Sequence, residues 1–321
     1  MLKRVFQKRL ILSSAVLFAL LLLYLIPKDQ MNTLDDIPKR VEYVDQMMDK
    51  TTIYLLDANE MVARTKVVVD VEASIEKKAR DLLNILIQNG EGESKVPNGF
   101  RAIIPSDTQV LSIHYEEGLI KVDFSKDILE MKKEYEEKVI EAIVYTLTSI
   151  EEVEKVIIYV EGDILTKLPH SGLNLPSTLD RSYGINKEYD LQTYHNVNQV
   201  TVYYVSKYND TTYYVPVTKY VNDDREKIKI IVDELASSNL YTTNLMSYLN
   251  SNTKLLATEQ EVDSLFLTFN SYIFSDMDDR NILEEVIYTI SLSVGDNYDV
   301  REVVFEVEDQ EIYKSVIKTI E

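Results

Sequence analysis

The chain of 321 residues contains no cysteine. Disulfides, zinc–thiolate sites, thiol catalysis and lipid attachment through Cys are therefore excluded in any compartment. Tryptophan is absent as well, and His114, His170 and His195 are the only 3 histidines, so His-rich metal or triad chemistry has little to draw on. Positive charge is scarce: 34 Lys+Arg against 54 Asp+Glu leave a formal charge of −20. Capture of phosphate backbones relies on clustered Lys and Arg, so nucleic acid is not an expected partner. Apolar residues, by contrast, make up 45% of the chain. That is too apolar for a disordered chain, and at roughly 100–200 residues per domain the length suggests about two domains.

From Leu10 to Ile26 the sequence carries no charge, and Lys3, Arg4, Lys8 and Arg9 precede it. The run sits at the short end of the roughly 17–25 residues that span a bilayer. Its basic flank is expected to stay in the cytoplasm, sending the rest of the chain across as a single-pass protein with an extracytoplasmic body. No small-residue cleavage site follows, because the exit reads Tyr24, Leu25, Ile26, Pro27, Lys28, so a retained anchor over residues 1–28 is expected. Residues 29–50, with Pro38 and the acids Asp35 and Asp36, read as a tether.

The remainder matches itself. Val139, Ile140, Ile143, Val144, Leu147 and Ile150 form an apolar helical stripe, and Ile282, Leu283, Val286, Ile287 and Ile290 repeat its first five positions 143 residues on (282 − 139). Tyr145-Thr146 recurs as Tyr288-Thr289 at the same shift. Val122-Asp123-Phe124-Ser125 matches Leu267-Thr268-Phe269-Asn270, and Val156 to Val160 matches Val303 to Val307. Ala79, Leu82, Leu83 and Leu86 correspond to Ile228, Ile231, Val232 and Leu235, 149 apart (228 − 79). Such a period far exceeds that of solenoid repeats and points to tandem domains over residues 51–190 and 198–321.

Each copy reads as an α+β unit, helices packed on a small mixed or antiparallel sheet. A hairpin is expected over Ile53–Leu56 and Lys66–Val71, then a helix from the N-cap Ser74 to near Gly90. The strands Val110–Tyr115 and Leu119–Phe124 are joined through Glu116-Glu117-Gly118, and Val153–Val160 closes the unit after the second helix.

Ile104-Pro105, the strand ending VDFS at Val122–Ser125 (with Asp123 and Phe124), the helix segment around Tyr145-Thr146, the strand VIIYVEG at Val156–Gly162 and the closing Arg181…Gly184-Ile185-Asn186 resemble the GerM domain of sporulation and germination proteins. The second copy keeps the element order but lacks the VDFS acid and the closing Arg…Gly-Ile-Asn. The resemblance implies an extracytoplasmic protein with tandem domains similar to ring-building modules of secretion systems, acting in an assembly between mother-cell and forespore membranes. Many members are lipoproteins; here the stretch Leu10–Ile26 would replace the lipid.

Candidate chemistry is thin. Asp123 and Ser125 have no nearby His in sequence, and the second copy has Thr268 in place of Asp123, so strand end and cap is the better reading. Asp276, Asp278 and Asp279 lack the glycine and fifth-position ligand of a calcium loop and are expected to cap the helix before Ile282. His170 falls in a turn-rich loop, His114 in a hairpin and His195 between the copies. Tyr203, Tyr204, Tyr213 and Tyr214 are candidate contact residues, as strand formers, as a protein interface or as glycan contacts. The expectation is a non-enzymatic membrane-anchored scaffold without cofactor, partnered by other envelope proteins and forming homo-oligomers when membrane-bound. An accessory subunit of a membrane partner and a cell-wall glycan binder or enzyme are the alternatives.

Overall fold

A computed structural model describes residues 50–70, 73–237, 244–276 and 278–320. The anchor expected over Leu10 to Ile26, and all of the tether except Lys50, lie outside the described residues. Among the described residues no helix is long and apolar enough to cross a membrane. The first copy runs β1 (Lys50–Asp57), β2 (Val62–Val68), α1 (Ile75–Leu86), β3 (Phe100–Arg101), β4 (Val110–Glu116), β5 (Leu119–Phe124), α2 (Glu136–Leu147), β6 (Lys155–Val160), β7 (Asp163–Ile164) and β8 (Glu188–Asp190). The second runs β9 (Asn198–Tyr208), β10 (Thr211–Val221), α3 (Lys227–Ala236), β11 (Leu255–Gln260), β12 (Ser264–Phe269), α4 (Glu284–Asn297), β13 (Glu302–Val307) and β14 (Gln310–Val316).

Within each copy a four-stranded sheet has one topology, β4-β5-β6-β7 and β11-β12-β13-β14. The inner pair is parallel in both, and α2 and α4 provide the crossover that a parallel pair requires. Phe124 faces Val160 and Phe269 faces Val307, so the strand match found in the sequence is also a match of register. The β4–β5 hairpin turns on Glu117 and Gly118, both at positive φ (45° and 81°), as a two-residue turn of this hand needs.

Three expectations need correction. The first hairpin is tighter than expected: Leu56 already faces Val62. Asp57 causes this, its Oδ1 accepting from the amides of Asn59 and Met61 at 2.9 and 2.8 Å. Helix α1 starts after Ser74, which accepts from Lys77 N at 3.3 Å, but ends at Leu86, where Ile87 turns extended to bridge Ile104.

The third correction concerns the repeated stripe. Thr146 Oγ1 in α2 accepts from Tyr54 N at 3.0 Å, and Ser293 Oγ in α4 accepts from Tyr203 N at 2.8 Å. Tyr54 and Tyr203 are related by the same 149 (203 − 54) as the first helices, so the counterpart of Thr146 is Ser293, 147 on (293 − 146), and not Thr289. The difference, four residues, is about one helical turn, and an apolar stripe of that period matches itself when slid by a turn. Ile282 and Leu283, read as helical, precede α4. Leu147 corresponds to Val294 and Ile290 to Ile143, all at 0% exposure.

Each copy gathers a core, and that of the second also takes in Ala63 of the first. The first gathers Leu55, Leu83, Phe124 and Ile143; the second gathers Tyr204, Ile231, Phe269 and Ile290. The hairpins nevertheless merge into one six-stranded sheet, β3-β1-β2-β10, with β8 and β9 both on β10, and the described residues form one compact unit.

Candidate functional site

Equivalent residues meet each other where the copies join. The hydroxyls of Tyr54 and Tyr203 lie 2.8 Å apart. Contact between like positions is the signature of a two-fold relation, in which a patch packs on its own copy. Strands β2 and β10 obey it too, bridging at Arg64 and Tyr214. Tyr54 faces Arg64 and Tyr203 faces Pro216, while Leu56 faces Val62 and Val205 faces Tyr214. The two-fold mate of the Arg64–Tyr214 bridge is therefore Pro216–Val62. Proline has no N–H and cannot complete that pair. The side chain of Asn186 completes it, accepting from Val62 N at 3.0 Å and donating to Val62 O and Pro216 O, both at 2.8 Å.

The closing segment is delivered to this place by its own turn. Asp180 accepts from Ser182 N at 2.8 Å to start a single 3-10 turn, Arg181–Tyr183. Gly184 follows at φ 80°, where a Cβ would stand 3.0 Å from the Tyr220 hydroxyl and 3.2 Å from Thr218. Ile185 N then donates to Thr218 Oγ1 at 2.9 Å and Asn186 N to Glu141 Oε2 at 2.9 Å.

Arg181 occupies the axis itself. Its Nη1 pairs with Asp296, while Nε donates to Thr148 Oγ1 at 3.1 Å and Nη2 to Ser149 Oγ at 3.0 Å. Ser149 and Asp296 are equivalent under the 147 shift (296 − 149), so one guanidinium joins the ends of α2 and α4. It also lies 5.7 and 5.0 Å over the rings of Tyr54 and Tyr145. Tyr145 donates to Arg181 O at 3.1 Å and Tyr203 to Asp296 Oδ2 at 2.9 Å. Burial opposes the charge of Arg181 most strongly, but Asp296 together with Tyr54, Tyr203 and Tyr145 outweighs it, and the pKa lies well above its ordinary value. Burial and the Asp296 charge push Tyr145 and Tyr203 up, keeping both as donors.

The remaining motif residues serve structure at other points. Asp123 Oδ1 accepts from Gly162 N at 3.1 Å and holds the β6–β7 turn, and Phe124 is buried. Ser125 Oγ accepts from Gln109 N at 3.0 Å and donates to Asp127 at 2.8 Å. His114, His170 and His195 are all exposed. Asp276 accepts from Asp278 N at 2.8 Å within a turn, and α4 begins only after Leu283, so this cluster does not cap the helix as expected. Among the described residues no group of three or more His, Asp or Glu is placed to hold a metal ion.

Tyr203, Tyr204, Tyr213 and Tyr214 face inward, at 1%, 1%, 4% and 6% exposure, so they do not form an outward contact surface. Tyr213 donates to Asp57 Oδ2 across the junction at 2.8 Å, and Tyr214 packs edge-on against Tyr288. Sequence reasoning missed Asp296, Tyr54 and Asp57. A signal was present: Thr146 and Ser293 put hydroxyls into mainly apolar helix faces, and Asp296 follows one turn after Ser293.

A family model described as "Germane: Sporulation and spore germination" matches residues 52–166 and 201–313. The spore germination protein GerM of Bacillus subtilis (strain 168) is 32% identical over 259 residues, 78% of this chain and 69% of that protein. The solved tandem GerMN domains of the sporulation protein GerM from Bacillus subtilis superpose with a TM-score of 0.73 at 30% identity, covering 81% of this chain and 91% of that one. These relatives are named for sporulation and germination and not for a catalysed reaction. Two matched copies in one chain, together with a solved relative in the same tandem arrangement, make this protein a member of the Germane family of sporulation and spore germination proteins.

Proposed function

We propose that the protein is a non-enzymatic, membrane-anchored envelope protein that acts in sporulation or germination through protein–protein assembly. One observation carries this reading: the polar residues by which the family is recognised spend their hydrogen bonds on the chain itself. Ser125, Tyr145, Thr146, Arg181 and Asn186 clasp strands or join the two copies. The uncharged run Leu10 to Ile26, behind four cations, supports an anchor with the body outside the cytoplasm.

Two edge strands offer surfaces for partners. Strands β4 and β11 are both bulged, between Val110 and Ser112 and between Leu255 and Ala257, and the intervening Leu111 and Leu256 are 47% and 63% exposed. A bulge ends regular edge pairing and re-aims a side chain. A charge of −20 opposes self-association of the free body, so homo-oligomers are expected at the membrane only. Photo-crosslinking groups at Leu111 and Leu256 in living cells should capture membrane or exported proteins, identified by mass spectrometry, and external protease should digest the body in protoplasts. Capture of cytoplasmic proteins alone, or a protected body, would overturn the reading.

A further inference from the structure

Beside the Arg181 latch the copies leave a cavity of about 590 Å³ whose charge has the opposite sign to the chain's. Lys50, Arg64, Lys66, Lys78, Arg181 and Lys318 line it, against Glu151, Glu152 and Asp296. The whole sequence has 34 basic and 54 acidic residues, so this local excess is not a sample of the average surface.

Strand register builds the basic wall. Thr52 faces Lys66 and Tyr54 faces Arg64, and Lys50, Thr52 and Tyr54 alternate along β1, so Lys50, Lys66 and Arg64 share one face of the first hairpin. Helix α1 contributes Lys78 and the second copy contributes Lys318. Arg181 is matched by Asp296 and Lys318 by Glu151. Arg64, 6% exposed, gives Nη2 to Ile320 O at 2.8 Å, a neutral acceptor that does not cancel its charge. Like charges gathered between protein walls concentrate their field in the cavity, which attracts ions of the opposite sign.

We infer that this cavity binds a phosphate-bearing anion, of the class that includes phospholipid headgroups and free oligophosphates. Lys50 and Lys78 supply mobile point charges for phosphate oxygens, Arg64 adds a fixed charge in the wall, and the volume suits a small ligand. The inference is independent of the assembly reading above.

The full chain in a non-ionic detergent at low salt is titrated calorimetrically with inorganic tripolyphosphate and, separately, with dihexanoyl-phosphatidylglycerol. Saturable binding of either is expected, and whichever binds identifies the source. The triple variant Lys50→Gln/Lys66→Gln/Lys78→Gln should weaken it roughly tenfold or more, as should added salt. The equally charged control Lys126→Gln/Lys167→Gln/Lys229→Gln should leave it unchanged. If the first triple variant does not fold, Lys78→Gln alone carries the test, with a smaller loss in the same direction. No saturable heat from either ligand, or equal losses in the cavity and control variants, overturns the inference.

Discussion

The two copies end their central strands with different residues that make the same bonds, whereas the segment that follows the first copy joins the two. Ser125 takes Gln109 N on its side chain at 3.0 Å and returns its own N–H to Gln109 O at 2.9 Å. Asn270 does the same with Lys254, at 3.0 and 3.1 Å. Both pairs keep one shift of 145 (270 − 125 and 254 − 109), as do the bulge leucines. A clasp inside a copy must be made twice. The latch lies on the axis between the copies, where the two-fold image of Arg181 would fall on the same space. The image of the Asn186 bridge would fall where Arg64 and Tyr214 already pair directly. The axis thus has room for one latch, and the segment that follows the first copy serves both.

The strongest way to break this comparison is to remove the carboxamide. Asn186→Ala leaves Val62 N, Val62 O and Pro216 O without partners in a buried place. At about 1–3 kcal/mol for each stranded group, partly compensated, the loss should be about 3–5 kcal/mol in urea unfolding. Alanine at a φ of 45° adds strain, since that conformation suits Asn better. A loss below about 1 kcal/mol would mean that the sheets are joined by other contacts.

Next in size is the ion pair on the axis. Breaking a buried pair by removing one partner costs about 3–5 kcal/mol, but the side chain of Arg181 is 27% exposed, so Arg181→Leu should cost about 2–3. Asp296 is left in place with its side chain 4% exposed. In the double variant with Asp296→Asn most of that loss should return, because the stranded acid is gone. Strict additivity in this cycle would show that the two groups do not act together.

These two residues also mark the limit of what could be read in advance. The order of elements, the α+β class and the Ser74 cap follow from period, turn residues and β-branched runs, which are local. Arg181 and Asn186 were visible as motif residues, but their partners Asp296, Val62 and Pro216 are set by how the copies dock, which no local period encodes. The one-turn error in the helix match has the same root: apolar periodicity repeats every turn, and only the hydrogen bonds from Tyr54 to Thr146 and from Tyr203 to Ser293 fix the register.

A sharper form of the comparison tests the shared clasp. Ser125→Ala and Asn270→Ala each strand one backbone N–H, of Gln109 and of Lys254. Each should cost about 1 kcal/mol, close to the usual value of a lost cap, and the two losses should add, since the sites lie in separate sheets. Thermal unfolding of the two single variants and the double variant decides it. Unequal losses, with one near zero, would show that the equivalence is one of sequence alone.

The smallest effect isolates a titratable group that only the first copy has. Glu141 in α2 is 2% exposed, and the 147 shift places Tyr288 at the same point of α4. Its Oε2 accepts from Asn186 N at 2.9 Å, and Oε1 lies 3.6 Å from Lys187 Nζ. Burial raises its pKa above the ordinary 4.5, against the opposing pull of Lys187 and the Asn186 amide, with Glu137 adding to the rise. Between 4.5 and the raised value the folded chain holds a proton that the unfolded chain has released. Stability from this group therefore grows as pH falls through that window and is complete below it. Glu141→Gln keeps an acceptor for Asn186 N but cannot titrate. The native chain should then gain stability relative to Glu141→Gln as pH falls from about 7.5 to about 5, read as a widening or sign change in the difference of thermal midpoints. A difference that stays constant with pH would mean that the Lys187 pair, and not burial, governs the charge of Glu141.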